Sequence, residues 1–337
     1  MSINRKKTIC ILRNRWHFGA QILTIPALFY IKKNSAIKNP IEISIISKQD
    51  TNWFYSQFNW IDNFFIQGGF FSDLKLIYKS EKLVSFQPSS YRYLFLSLLA
   101  RIDENFGFSK KRFLNRLWKK SIEFNPSVYR GLHYLQLASV EDGIDNTELM
   151  NHLRLPFIEV ASTSDLIINF CNQDDTLNVC IMPGGGAGEF KKWGVKNFFE
   201  SAKLLAFSKN KSVVLHWLVG PDEIEEKKAI DLLVNNSTLI NEKLSVTSFL
   251  YTDLKIKDIA ALVSQVDITI ANDCGPAHIA QCMQQGFIGI FDQTKPEWFL
   301  VHTASKCVVP NKENSDEKYP ILSISPTEVN KAILSII

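Results

Sequence analysis

Hydrophobic positions along this chain follow two alternating patterns. Short apolar runs, as in buried strands, are followed by stretches with apolar residues every three or four positions, as on a helix. Residues 8–12 and 41–46 are runs of the first kind. Between them, 21–33 reads as a helix with Ile22, Leu23, Ala27, Leu28 and Ile31 on one face. Pro26 predicts a kink there, or the true start of the helix. Residues 74–77 and 82–86 read as further short strands. This βαβ order predicts a parallel sheet.

From 89 to 137 the chain reads as helical and basic. Lys110, Lys111, Arg112, Arg116, Lys119 and Lys120 interleave with Phe113, Leu114, Leu117 and Trp118. That mixture suits a solvated helix face or a basic amphipathic surface for an anionic lipid or acceptor. Residues 141–176 are polar and read as irregular, with a linker near 162–176. Beyond it, strands are expected at 177–182, 212–219, 267–271 and 287–291. Helices are expected at 195–207, 222–234 (Asp222 as N-cap), 257–264, 277–283 and 326–336. This is a second doubly wound α/β domain, and ligands bind such sheets at the carboxyl ends of the strands.

The chain has 337 residues, 46% of them hydrophobic, which suits about two globular domains. The net charge of +4 is too small to argue for nucleic-acid binding. Cys10, Cys171, Cys180, Cys274, Cys282 and Cys307 form no CxxC and no zinc spacing. They read as reduced thiols of a cytoplasmic protein. No secretory signal is expected at the N-terminus, and no apolar run approaches the ~20 residues of a membrane span.

Two glycine-bearing turns carry the candidate chemistry. Pro183-Gly-Gly-Gly-Ala-Gly188 follows a strand and precedes Lys191-Lys-Trp193. Its backbone N–H groups could approach a phosphate closely, with cations beside them. It is neither a Walker A loop nor GxGxxG. Asn272-Asp-Cys-Gly-Pro-Ala-His278 joins a strand to a helix. Its N–H groups favour a diphosphate, Asp273 could accept from sugar hydroxyls, and His278 could bond a phosphate or orient the loop.

The run from Asp267 through Ala280, with the 258–263 helix before it, resembles the signature of the heptosyltransferase family, glycosyltransferase family 9. Pro183-Gly-Gly with Lys191-x-Trp193, the turn 291–296 and the segment 18–28 are similar to that family's other loops. The likeness covers about 8–30 and 177–335. It implies an α/β GT-B fold: two Rossmann-like, doubly wound domains facing a central cleft. Residues 1–170 would bind the acceptor and 171–325 the nucleotide sugar, and the helix at 326–337 would cross back to the first domain. It also implies an inverting, metal-independent transfer of heptose or a related sugar in lipopolysaccharide synthesis. The donor would be a nucleotide-diphosphate sugar and the acceptor a glycan or glycolipid. The enzyme would work in the cytoplasm, with peripheral contact at the inner membrane, and no cofactor or metal is expected.

Carried over residue by residue, Lys191 matches the lysine on donor phosphate or sugar and Asp273 the aspartate on the donor sugar. Cys274, Gly275, Pro276 and His278 match the diphosphate turn, with Gly184, Gly185 and Gly186 on the phosphate-side loop. Glu223 and Glu225 are both candidates for the ribose. In the first domain Arg13, Arg15, His17 and Gly19 are expected on the acceptor side. The family places its general-base aspartate directly after this glycine, where this chain has Ala20. His17 could replace that base, or Asp50 could reach in, or the chain is a degenerate nucleotide-sugar binder. A nucleotide-sugar epimerase or hydrolase on the same fold is a further alternative.

Overall fold

The computed structural model describes the chain except residues 1–5, 13–14, 16, 37–40, 89, 110–113, 115, 167–174, 187, 235–237, 241–242 and 312–317. Contacts divide it into two units, Met1–Pro156 and Phe157–Ile337.

The first unit is built on six strands: β1 (Lys6–Ile11), β2 (Ile41–Ser47), β3 (Asn63–Ile66), β4 (Lys82–Ser85), β5 (Glu104–Ser109) and β6 (Lys120–Glu123). All pair in parallel, in the order β3-β2-β1-β4-β5-β6. Parallel strands need crossover connections. These contain the helices α1 (Phe18–Ile22), α2 (Ile25–Ala36), α3 (Asn52–Tyr55), α4 (Phe70–Ile77) and α5 (Arg92–Leu99). Helices α6 (Arg130–Ala138) and α7 (Asn146–Ala161) follow β6. Pro26 stands in the first turn of α2, where its missing N–H costs nothing. It marks a start rather than a kink.

The second unit repeats the plan. Its strands are β7 (Thr176–Met182), β8 (Ser212–Val219), β9 (Thr238–Leu239), β10 (Ser245–Thr252), β11 (Ile268–Asn272), β12 (Phe287–Ile290) and β13 (Ser305–Val308). They lie in the order β13-β12-β11-β7-β8-β10-β9, and only the short edge strand β9 is antiparallel. Between them run α8 (Val195–Lys209), α9 (Ile224–Val234), α10 (Ile256–Gln265) and α11 (Ala277–Met283), with α12 (Pro326–Leu334) last. In each sheet the first strand is central, and the chain winds outward first to one side and then to the other. This is the doubly wound order with a topological switch point beside that strand.

Three expectations are corrected. Residues 74–77 are the second half of α4, not a strand; a four-residue apolar run fits either element. Here the helix starts earlier because the buried Asp73 carboxylate accepts from Gly68 N–H, at 2.8 Å. The stretch 89–137 is not continuously helical, since β5 and β6 interrupt it. Trp118 is buried over Gly107, and Asn105 Oδ1 accepts from Lys119 N–H at 2.6 Å, which draws this segment into the sheet. Of its basic residues, Lys110, Lys111 and Arg112 lie outside the described residues, as does Phe113. Arg116, Lys119 and Lys120 are exposed.

The polar stretch at 141–176, read as irregular, contains the 16-residue helix α7, and contacts divide the chain at 156/157. Leu149, Leu153 and Phe157 form its buried stripe, too sparse among polar neighbours to stand out in the sequence. The final helix packs on α8. Val329 and Ile333 are buried in the second unit's core, and Asn330 Nδ2 donates to Ser208 Oγ at 3.1 Å. The apolar stripe of α12 is thus occupied within its own unit.

Among the described residues no helix is long and apolar enough to cross a membrane, and no disulfide occurs.

Candidate donor site at the edge of the second sheet

Strands β11, β7 and β8 are neighbours and parallel, so their carboxyl ends open onto one edge. Three loops begin there: 183–194 after β7, 220–223 after β8 and 273–276 after β11. The switch point falls between β7 and β11, and Asn272 spans it. Its Nδ2 donates to Pro183 O at 2.7 Å, and its Oδ1 accepts from Trp193 N–H at 3.4 Å. Trp193 is itself fully buried, its indole N–H donating to Ile324 O at 2.8 Å. A rigid floor therefore lies beneath the two turns picked out from the sequence.

Across that floor Lys191 Nζ donates to Asp273 Oδ2 at 2.5 Å. The two side chains are only 15% and 10% exposed, so the pair is weakly screened. Lys192 points the other way. It reaches Glu189 on its own loop at 2.7 Å and Glu226 on α9 at 2.8 Å. Burial works against its ammonium, but the two carboxylates outweigh burial and hold its pKa above the ordinary lysine value. The loop between the two lysines and the sheet turns through Gly188, at φ +137°, where an L side chain would be strained.

Glu223 and Glu225, equivalent in the sequence, separate here. Glu225 is exposed and pairs with Lys228 at 2.8 Å on the outer face of α9. Glu223 turns inward and accepts from Gly220 N–H at 2.5 Å. A Cβ on Gly184 would lie 2.3 Å from Glu223 Oε1, and one on Gly220 2.7 Å from Oε2. Glycine at both positions makes room for that carboxylate. Burial raises its pKa, with the Gly220 N–H working in the opposite sense. Gly185 packs against the Lys192 stem, whereas Gly186 faces open space.

In the 273–278 turn, the Cys274 thiol is buried, and burial raises its pKa. It faces inward as a small core residue. Pro276 occupies the N-cap position of α11 and Gly275 precedes it, half-buried. His278 is 4% exposed and bonds through Nδ1 to Gln281 Nε2 at 3.3 Å, with Trp298 beside it. Burial lowers its pKa to about 4, against the pull of Asp273, so the imidazole is neutral near pH 7.

On the first sheet, β1 and β2 are neighbours and parallel, so the segments after them share an edge. His17 is exposed at the N-cap of α1, Gly19 is buried in that helix, and Ala20 is half-buried, its N–H donating to His17 O. Arg15 is exposed; its carbonyl accepts from Gln21 Nε2, which starts a buried chain through Tyr55 to Thr24. Arg13 lies outside the described residues. Asp50 is exposed after β2 and accepts from Asn52 N–H at 3.2 Å.

Sequence reading missed Asn272 as the tie between the turns, and Lys192 with Glu226 as the clamp on the glycine loop. An Asn at a strand's carboxyl end was one available signal. Another was a buried acid three residues after Glu223, on the same helical face. Among the described residues no group of three or more His, Cys, Asp or Glu could hold a metal ion.

Residues 95–323, well over half of the chain, match the sequence model of glycosyltransferase family 9 (heptosyltransferase). No curated protein sequence matches. Among solved structures, the glycosyl transferase family 9 protein of Veillonella parvula DSM 2008 is 16% identical, with a TM-score of 0.61 over 100% of this chain and 98% of that one. The E. coli heptosyltransferase WaaC with ADP is 10% identical, with a TM-score of 0.61 over 98% and 100%. The UDP-GlcNAc 2-epimerase of Methanocaldococcus jannaschii is 13% identical, with a TM-score of 0.51 over 97% and 98%. Identities this low speak to shared fold alone, and that fold is GT-B. It is the match over 95–323 that assigns the family: the chain belongs to glycosyltransferase family 9, the heptosyltransferases.

Proposed function

We propose that this chain is an inverting, metal-independent glycosyltransferase. It moves heptose or a related sugar from a nucleotide-diphosphate donor to a lipopolysaccharide core or another surface glycan. The observation that carries this reading is the Lys191–Asp273 pair, which joins two strand-end loops at the switch point with Glu223 beside them.

The donor diphosphate lies on the 273–278 turn and the 184–186 loop, where N–H groups and Lys191 offset its charge. Glu223 accepts from the ribose hydroxyls, while Glu225 faces away and drops out of the site. Asp273 accepts from hydroxyls of the transferred sugar. An acceptor hydroxyl attacks the anomeric carbon as the bond to the diphosphate oxygen breaks, and the configuration inverts. The nucleoside diphosphate leaves with the bonding electrons, its charge stabilised by Lys191 and the turn. Neutral His278 holds the turn by hydrogen bonds. His17 takes the acceptor proton; its side chain is exposed and imidazole suits the role. Arg15 and Gly19 lie on the same acceptor side. A lipid-linked acceptor would place the chain peripherally on the cytoplasmic face of the inner membrane.

Ala20 favours a second reading, a family member that binds nucleotide sugar without transferring it. One panel addresses the donor site first. Thermal unfolding is followed with ADP, UDP, GDP, CDP and their sugar conjugates. A ligand at 100 times its Kd stabilises by about 2.7 kcal/mol. A response to one nucleotide that Asp273→Ala and His278→Ala both abolish is the expected result. Undiminished response and turnover in both variants would sink the site. Donor turnover without acceptor would indicate epimerase or hydrolase chemistry instead.

A further inference from the structure

We infer that the outer faces of α4 and α5 in the first unit form a docking surface for an anionic lipid bilayer. The two helices pack side by side and share one core. Ile77 of α4 and Tyr93, Leu94 and Leu96 of α5 point into it, with Leu74 packed at its margin. Their opposite faces would ordinarily be polar. Instead Phe71 is 82% exposed, Leu99 60% and Tyr78 59%, and Phe95 and Leu98 are exposed as well. The contacting helices α8 and α9 also expose large apolar side chains, Phe207 and Leu232 at 73% each, but there Glu225 is exposed among them. Contiguous apolar surface of this kind marks an interaction site.

The charges around it name the partner. Lys75 is exposed on α4, and Lys79 and Arg101 follow the last turns of α4 and α5. Both of these last cations have left-handed backbone, φ +66° and +52°, where glycine is the usual residue. The one acidic residue of the two helices, Asp73, is buried and held by Arg92 at 2.7 Å and Tyr93 at 2.9 Å. Neither helix carries an exposed carboxylate, and the exposed acids nearest along the chain, Glu81 and Asp103, lie two residues beyond Lys79 and Arg101 respectively. A second copy of the chain would set cations against cations. An anionic headgroup layer accepts the cations while the aromatic and leucine side chains enter the acyl boundary.

This surface deepens the proposed peripheral placement of the enzyme and rests on that reading for its purpose. Its test does not depend on transfer. The full chain is sedimented with vesicles of phosphatidylglycerol and phosphatidylethanolamine, and with vesicles of phosphatidylcholine alone. Binding to the anionic vesicles, weakened by salt and much weaker on the neutral ones, is expected. Phe71→Ser/Leu99→Ser should reduce it by about tenfold or more, because two large side chains no longer leave water. Lys75→Glu/Lys79→Glu should reduce it on anionic vesicles only. Neither pair should change the nucleotide-induced thermal shift, which reads the second unit. A lost nucleotide shift with intact vesicle binding would therefore fault the donor site and leave this surface standing. Wild-type chain that ignores anionic vesicles would overturn the inference. So would a Phe71→Ser/Leu99→Ser variant that binds them as well as wild type. Concentration-dependent dimerisation abolished by that variant would show that a second copy covers the face instead.

Discussion

The Glu223 carboxylate fills the space in which a side chain on Gly184 would have to sit. A Cβ at 184 would come within 2.3 Å of Glu223 Oε1, although 39 positions separate the two residues. Gly184→Ala should therefore push Glu223 aside at a cost of about 1–3 kcal/mol, as overpacking does. The nucleotide-induced thermal shift should fall with it. Gly186→Ala is the control, since nothing lies within 4 Å of its position, and both readouts should hold there. Equal behaviour of the two variants in a melting experiment would refute this role for Gly184.

Lys191 and Asp273 should behave as one unit. Losing either partner strands the other charge at a site that is about nine-tenths buried, typically about 1–3 kcal/mol. Lys191→Met and Asp273→Asn should each lower sugar transfer by roughly 100-fold or more, the range seen when a preorganised electrostatic contact is removed. The double variant should be little worse than either single one. Strictly additive losses in a double-mutant cycle would show that the pair is not coupled.

Stability should depend on pH through three buried histidines. His133, His216 and His278 are each held at about 4, with burial the leading cause. Above the ordinary histidine value of 6.5 they are neutral in both the folded and unfolded chain, and their contribution is fully present. Between 6.5 and about 4 the unfolded chain takes up protons that the folded chain refuses, so stability falls as pH falls. Glu223, raised by burial, works in the opposite sense over the carboxylate range. Urea midpoints should drop across that window, and His216→Gln should flatten the slope. Imidazole NMR signals titrating near 6.5 would contradict this assignment.

The missing aspartate gives the sharpest test of activity. With His17 as base, His17→Ala should lower kcat by about 10²–10⁴-fold and leave donor affinity alone. Ala20→Asp on that background should restore part of the rate. Unchanged turnover in His17→Ala would remove His17 from the mechanism. A wild type without transfer that Ala20→Asp awakens would support the non-transferring reading.

Much of the fold was legible because it is written in local patterns. The runs at 177–182, 212–219 and 267–271 are short and almost continuously apolar, and the helices between them repeat with a period near 3.6. Their turns carry glycine and proline where the chain must reverse. The stretches that misled were short or mixed. Residues 74–77 are too few for a period to show, and α7 carries only one buried residue per turn along a polar helix. Strands β3, β5, β6, β10 and β13 went unread, since several are edge-side strands with few fully buried positions.

By itself the sequence determined that strands alternate with helices, that two doubly wound sheets form, and that two glycine-bearing turns sit at strand ends. These follow from side-chain period and backbone sterics, which act over a few residues. Only the tertiary structure decided the order of the strands and the unit to which α12 belongs. It also turned Glu223 inward and Glu225 outward, and set the partnerships of Lys191 with Asp273, 82 residues away, and of Lys192 with Glu226. Those depend on which strand lies beside which, and no local pattern encodes that. It is settled when the buried faces of distant segments pack together.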